Sequence, residues 1–128
     1  MLFGTALVTG GMLVWPLFGR LFPGGAAQLG AFEAVQLINR RDAIVLDIRD
    51  KAEYAAGHIP NARNIPQGDL GTRMHELNKF KSRPILVVCQ AGTRNAAACA
   101  QLSKEGYEAF ALRGGLSAWA QASMPVEK

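Results

Sequence analysis

The sequence predicts an α/β domain with a parallel central sheet covered by helices on both faces, and three observations predict it. From Leu29 onward, short β-rich runs alternate with stretches of helical periodicity. Two of those runs, residues 43–48 (AIVLDI) and 84–88 (PILVV), are almost unbroken apolar segments, as strands buried on both faces are. The units repeat at a length that suits strand, crossover helix and parallel strand, within a chain of 128 residues that has room for one core.

Each element follows from local pattern. Residues 32–41 place Phe32, Val35, Leu37 and Ile38 at mostly helical spacing. After the strand at 43–48, Asp50 stands where an N-cap would, opening a short helix through Tyr54 that Gly57 ends. Residues 62–65 read as a brief strand bounded by Pro60 and Pro66, and 70–80 as an amphipathic helix with Met74 and Leu77 inward. The segment 84–88 reads as the central strand. Residues 93–104 read as a helix that Gly106 stops, 109–112 as the last strand, and 116–122 as a final helical turn or two. Internal repeats and low-complexity tracts are absent from the sequence.

The N-terminus has a different character. Residues 1–19 carry no charged side chain, and as a helix they would span roughly 28 Å, close to the ~30 Å hydrocarbon thickness of a bilayer. Gly4, Gly10, Gly11 and Pro16 are tolerated in membrane helices, and Trp15 sits where an interfacial aromatic would. The expected organisation is therefore a transmembrane anchor at 1–22, a linker at 23–28 containing the Phe22-Pro23-Gly24-Gly25 breaker cluster, and a domain at 29–128. A cleaved secretory signal is the rival reading; Gly25-Ala26-Ala27 offers it a small-residue site, but the chain start lacks a positively charged n-region. Arg20, Arg40 and Arg41 follow the apolar run, which by the positive-inside rule puts the domain on the cytoplasmic side of an inner membrane, crossed once.

Composition narrows the chemistry. All 14 basic and 10 acidic residues lie from Arg20 onward, without a block of like charge, which suits acidic small substrates or anionic lipid nearby and argues only weakly for nucleic acid, so no nucleic-acid partner is expected. Cys89 and Cys99 are too few for a disulfide framework and read as reduced thiols. With two cysteines and two histidines outside any ligand spacing, no metal site is expected.

The loop after the central strand holds the most reactive pattern. Cys89 directly follows residues 84–88 and directly precedes a helix start, at the carboxyl end of the sheet where open α/β folds bind ligands. Inward backbone N–H groups, the helix dipole and Arg94 would together stabilise a thiolate or another anion there. Gly92 frees the turn to close, and Ala91 keeps the bowl uncrowded. The plain alternative is a small apolar residue ending a buried strand, but the polar, glycine-containing 90–94 segment is a poor continuation of such a strand.

Cys89-Gln90-Ala91-Gly92-Thr93-Arg94 resembles the six-residue active-site loop of the rhodanese family. Leu46-Asp47-Ile48-Arg49 with Glu53-Tyr54 and Gly57-His58-Ile59-Pro60-Asn61-Ala62 resembles that family's first signature, and the stretch from Leu112 to Trp119 (LRGGLSAW) its C-terminal one. The likeness extends over about residues 29 to 126. It implies a rhodanese-like fold and a persulfide cycle. Cys89 takes sulfane sulfur from a small anionic donor such as thiosulfate, or from a protein persulfide, and passes it to a thiol acceptor without an external cofactor. It also implies that the 90–94 loop binds the anion, that Arg94 faces the donor's oxyanion side, and that Asp47, Arg49 and Glu53 support the rim, Arg49 pairing with Glu53.

The same residues bear on other chemistries. Tyrosine phosphatases need one more residue between cysteine and arginine than the four found here, so phosphatase activity is expected to be negligible. A non-enzymatic, membrane-anchored interaction module and an arsenate or thiol redox enzyme remain alternatives, the last requiring an accessible Cys99. Gln90 and Ala91 stand where dedicated thiosulfate enzymes of the family have bulkier cationic residues, which leaves the donor open, and Ser123 replaces a common glycine. His58 is expected to satisfy a local hydrogen bond, His75 to be exposed, and Cys99 and Trp119 to pack in the core.

Overall fold

The computed structural model describes residues 27–91 and 95–128. The expected anchor at 1–22 and loop residues Gly92, Thr93 and Arg94 lie outside that range. Among the described residues no helix is long and apolar enough to cross a membrane.

In chain order the elements are β1 (Ala27–Leu29), α1 (Ala31–Arg41), β2 (Ile44–Asp47), α2 (Lys51–Ala56) and β3 (Arg63–Asn64). A 3₁₀ turn (Gln67–Asp69), α3 (Leu70–Arg73) and a longer 3₁₀ run (Met74–Phe80) lead into β4 (Ile85–Val88), α4 (Asn95–Lys104), β5 (Ala109–Leu112) and α5 (Gly115–Gln121). The strands form one sheet in the order β1-β5-β4-β2-β3, every pair parallel, with β4 at the centre as expected.

Alternation along the strands divides the core into two. Ile44, Leu46, Ile85, Val87, Ala109 and Ala111 face one side, against Met74, Leu77, Ala98, Cys99 and Leu102. Val45, Leu86, Val88, Phe110 and Leu112 face the other, against Ala34, Leu37 and Trp119. Side chains on both faces of β2, β4 and β5 are buried, which is why those runs carry so little polarity. Each leucine so placed contributes about 1.5–3 kcal/mol over leaving it in water.

Three local readings change. The 70–80 segment is not one amphipathic α-helix but a single α-turn followed by a 3₁₀ run. Met74, Leu77 and Phe80 are spaced by three, so a three-residue turn stacks them on one inward line, and all three are buried. β3 shrinks to Arg63–Asn64, and β1 opens inside the expected linker, pairing Ala27 with Phe110 and Leu29 with Leu112. β3 lies inside the expected 62–65 strand, whereas β1 is held as a strand by the neighbour it pairs with. Asp50 does stand at the N-cap of α2, which runs on to Ala56, and Glu53 accepts from the Asp50 N–H at 3.3 Å.

Candidate active site

Cys89 follows the last residue of the central strand and is only 3% exposed. Its carbonyl accepts from Leu116 N–H at 2.8 Å, and the Gln90 carbonyl accepts from Ser117 N–H at 3.1 Å. The first turn of α5 thus holds two successive loop carbonyls. In a planar trans peptide C=O and N–H point in opposite directions. Fixing both carbonyls toward α5 therefore turns the N–H groups of Gln90 and Ala91 the other way, as an anion cradle requires. Gly114, at φ 74°, makes this approach possible by turning the chain into α5.

Beneath the rim lies a buried ion pair. Arg49 Nε donates to Asp47 Oδ1 at 3.0 Å and Nη2 to Asp47 Oδ2 at 2.8 Å, with the residues 5% and 1% exposed. The guanidinium also donates to the Gly57 carbonyl at 2.6 Å and, through Nη1, to Gln90 Oε1 at 3.2 Å. Gln90 Nε2 in turn donates to Ser117 Oγ at 3.3 Å. Asn64 Nδ2 braces the same turn by donating to the Asp47 and Arg49 carbonyls at 3.0 and 2.9 Å. The charge of Arg49 is spent on Asp47, and what reaches the loop is a neutral, oriented amide.

The expected pairing of Arg49 with Glu53 is not formed. Glu53 is exposed and folds back on the N–H of its own helix cap, whereas Arg49 points inward to a buried carboxylate two residues before it, where the attraction is stronger. The structure thus joins Cys89, Gln90, Arg49 and Asp47 and leaves Glu53 outside. It also draws in Ser117 and Asn64, which the sequence did not single out as site residues. Ser117 lies 27 positions from Gln90, and nothing in local pattern connects them. Asn95, at the start of α4, is 1% exposed; it donates through Nδ2 to the Leu112 carbonyl at 3.0 Å, and its Oδ1 has no hydrogen-bond partner among the described residues.

The remaining candidates are placed as follows. Cys99 is fully buried in the same cluster as Cys89, and burial first, then the charge of Cys89, pushes its thiol up to about 12. His58 Nδ1 lies 2.7 Å from the Tyr54 carbonyl and must carry the proton there, since a carbonyl only accepts. Its ring stacks on Tyr54 at 3.8 Å. His75 is exposed, and Trp119 is buried with its indole N–H donating to the Pro125 carbonyl at 2.8 Å. Ser123 has φ 59°, a left-handed conformation that favours glycine.

The Rhodanese-like domain family model matches residues 31–122. The chain belongs to the rhodanese-like domain family. Within it, this rhodanese-like chain is 38% identical over 92 residues to a sulfurtransferase of Allochromatium vinosum, covering 71% of this chain and 84% of that one. It is 33% identical over 98 residues to the thiosulfate sulfurtransferase GlpE of Pseudoalteromonas translucida, covering 75% and 91%. Among solved structures, a rhodanese-related protein of Thermoplasma volcanium superposes with a TM-score of 0.72 at 30% identity, covering 79% of this chain and 97% of that one. The function at family level is of sulfurtransferase type.

Proposed function

We propose that this rhodanese-like domain is a sulfurtransferase or persulfide carrier in which Cys89 is the nucleophile. The observation that carries the reading is the fixing of the Cys89 and Gln90 carbonyls by α5, which turns the following N–H groups toward the place an anion would take. The Cys89 thiolate attacks the outer sulfur of thiosulfate or of a protein persulfide. The bond to the donor breaks, and sulfite or the donor thiolate leaves with the electron pair. The acceptor thiolate then attacks the outer sulfur of the Cys89 persulfide, and Cys89 leaves as a thiolate, ready for another cycle. In this reading Gly92 and Thr93 complete the ring of donors and Arg94 faces the anionic side of the donor.

A neutral Gln90, held by Arg49 and Ser117, adds no positive charge to the rim, which favours a protein persulfide or thiol over a dedicated thiosulfate site. Buried Cys99, with its thiol pushed up to about 12, disfavours the thiol redox alternative. Steady-state transfer from labelled thiosulfate, and separately from a low-molecular-weight persulfide, to a dithiol acceptor tests this account. Transfer from at least one donor, abolished in Cys89→Ser, is expected; equal transfer by Cys89→Ser and the parent chain contradicts it.

The uncharged run of residues 1–19 followed by Arg20, Arg40 and Arg41 supports a single-pass tether in the inner membrane, with the domain on the cytoplasmic side. Carbonate extraction of membranes from cells expressing the full chain is expected to leave it in the pellet. Release into the supernatant contradicts the tether.

A further inference from the structure

The chain carries a net charge of +4, and among the described residues the basic excess gathers at one end of the fold. Because every strand is parallel, the segments that enter β2, β4 and β5 gather at the end opposite the Cys89 loop. Hydrogen bonds tie them together there: Ile44 N–H to the Pro84 carbonyl at 2.8 Å, Ile85 N–H to the Glu108 carbonyl at 2.8 Å, and Arg83 Nε to the Asp42 carbonyl at 2.6 Å. Two carboxylates at this pole are already matched, Glu108 by Arg41 at 2.7 Å and Asp42 by Arg83 at 3.2 Å. Glu105 is the third. Arg40, Arg63, Lys79, Lys81 and Lys104 are all exposed and form no ion pair among the described residues.

Seven basic residues therefore meet three acidic ones at this pole and its flank, an excess of four, whereas the other described residues hold five basic and seven acidic groups. Glu76, the next carboxylate toward Arg63, is already matched by Arg73 at 2.8 Å. The cations are also held together. The Arg63 guanidinium lies 4.5 Å from the centre of the Phe80 ring, Lys79 Nζ 5.2 Å and the Arg83 guanidinium 5.4 Å, so one largely buried aromatic gathers three positive heads that would otherwise repel. Lys81 Nζ sits 5.2 Å from the Tyr107 ring beside them.

The course of the chain says what this pole would meet. β1 runs parallel to β5, with Ala27 opposite Phe110 near the start of β5, so β1 begins at the basic end. The 26 residues before β1 include the uncharged run of 1–19. We infer that the basic pole docks on an anionic phospholipid bilayer, which turns the Cys89 loop away from the membrane and toward soluble partners. Its geometry rests on the proposed tether, whereas the charge does not. Each lysine or arginine near an anionic surface strengthens attachment roughly fivefold, and salt screens the effect within a Debye length.

Lysine acylation read by mass spectrometry tests this on the full chain, because Lys79, Lys81 and Lys104 lie at the pole while Lys51, at the start of α2, lies at the other end. The full chain is mixed with phosphatidylcholine vesicles and, separately, with vesicles containing about one-third phosphatidylglycerol. The expected result is that Lys79 and Lys81 react roughly fivefold or more slowly on the anionic vesicles, that high salt removes the difference, and that Lys51 is unaffected. Association with both vesicle types and equal labelling of Lys79 and Lys81 overturns the docking while leaving the tether standing. Association with the anionic vesicles alone, with Lys79 and Lys81 protected, upholds the docking and removes the tether. No association with either vesicle type overturns both.

Discussion

Asp47 and Arg49 sit two residues apart at the end of β2, and their pair is almost wholly out of water. Removing one partner strands the other's charge. Asp47→Ala is expected to cost about 3–5 kcal/mol in urea unfolding, more than a surface pair would, because Arg49 would keep only the Gly57 carbonyl and the Gln90 amide. A loss below about 1 kcal/mol would show that the pair is solvated in solution. The two cysteines should differ as sharply. With its thiol pushed from 9.0 up to about 12, Cys99 keeps its proton in the folded chain when an unfolded chain would release it. The folded state therefore binds more protons between those values, so this thiol's contribution to stability is full below about pH 9 and fades as pH rises toward 12. At neutral pH an alkylating reagent should modify Cys99 only after denaturation. Peptide mapping checks this, and modification of native Cys99 at the rate of Cys89 would refute its burial.

Elements show most clearly what sequence pattern can and cannot carry. β2, β4 and β5 were legible because burial on both faces writes a continuous apolar run, and 109–112 is read to the residue. β3 was legible only as a brief strand between two prolines, and β1 (AQL) carries no such mark; pairing with a neighbour makes it a strand, and pairing is not local. The 3₁₀ run shows a subtler failure, since Met74 and Leu77 fit a helical face equally well and only Phe80, a further three residues on, separates a period of 3.0 from one of 3.6. At the site, the loop from Cys89 was visible as a cysteine between strand and helix. The hands that hold it were not, because Leu116 and Ser117 act through backbone N–H groups that every residue except proline possesses. α5 is thus more than a cover for Trp119. In Gly114→Ala the added Cβ would lie 2.7 Å from the Ala118 Cβ, at a φ that disfavours any side chain. The expected effect is a loss of about 1–3 kcal/mol, with slower sulfur loading as the α5 donors shift from the loop carbonyls. Lowered melting temperature with unchanged loading kinetics would show that α5 does not set the loop.

On the scale of the whole molecule, parallel topology separates the two proposed tasks. Strand ends carrying Asp47, Cys89 and the turn into α5 meet at one pole, and strand starts carrying the basic excess meet at the other. A chain with one core can thereby present a reactive loop and a charged face without either intruding on the other. Family membership and the fold follow from residues 31–122, while the identity of the nucleophile rests on the geometry at the end of β4. Intact-mass spectrometry of the full chain, purified without reductant and incubated with thiosulfate or a small persulfide, tests that assignment most directly. The expected spectrum gains the mass of one sulfur atom, mapped to the Cys89 peptide, discharged by a thiol and missing in Cys89→Ser. A chain that gains no sulfur from either donor, or gains it equally with Cys89 replaced, would contradict the account.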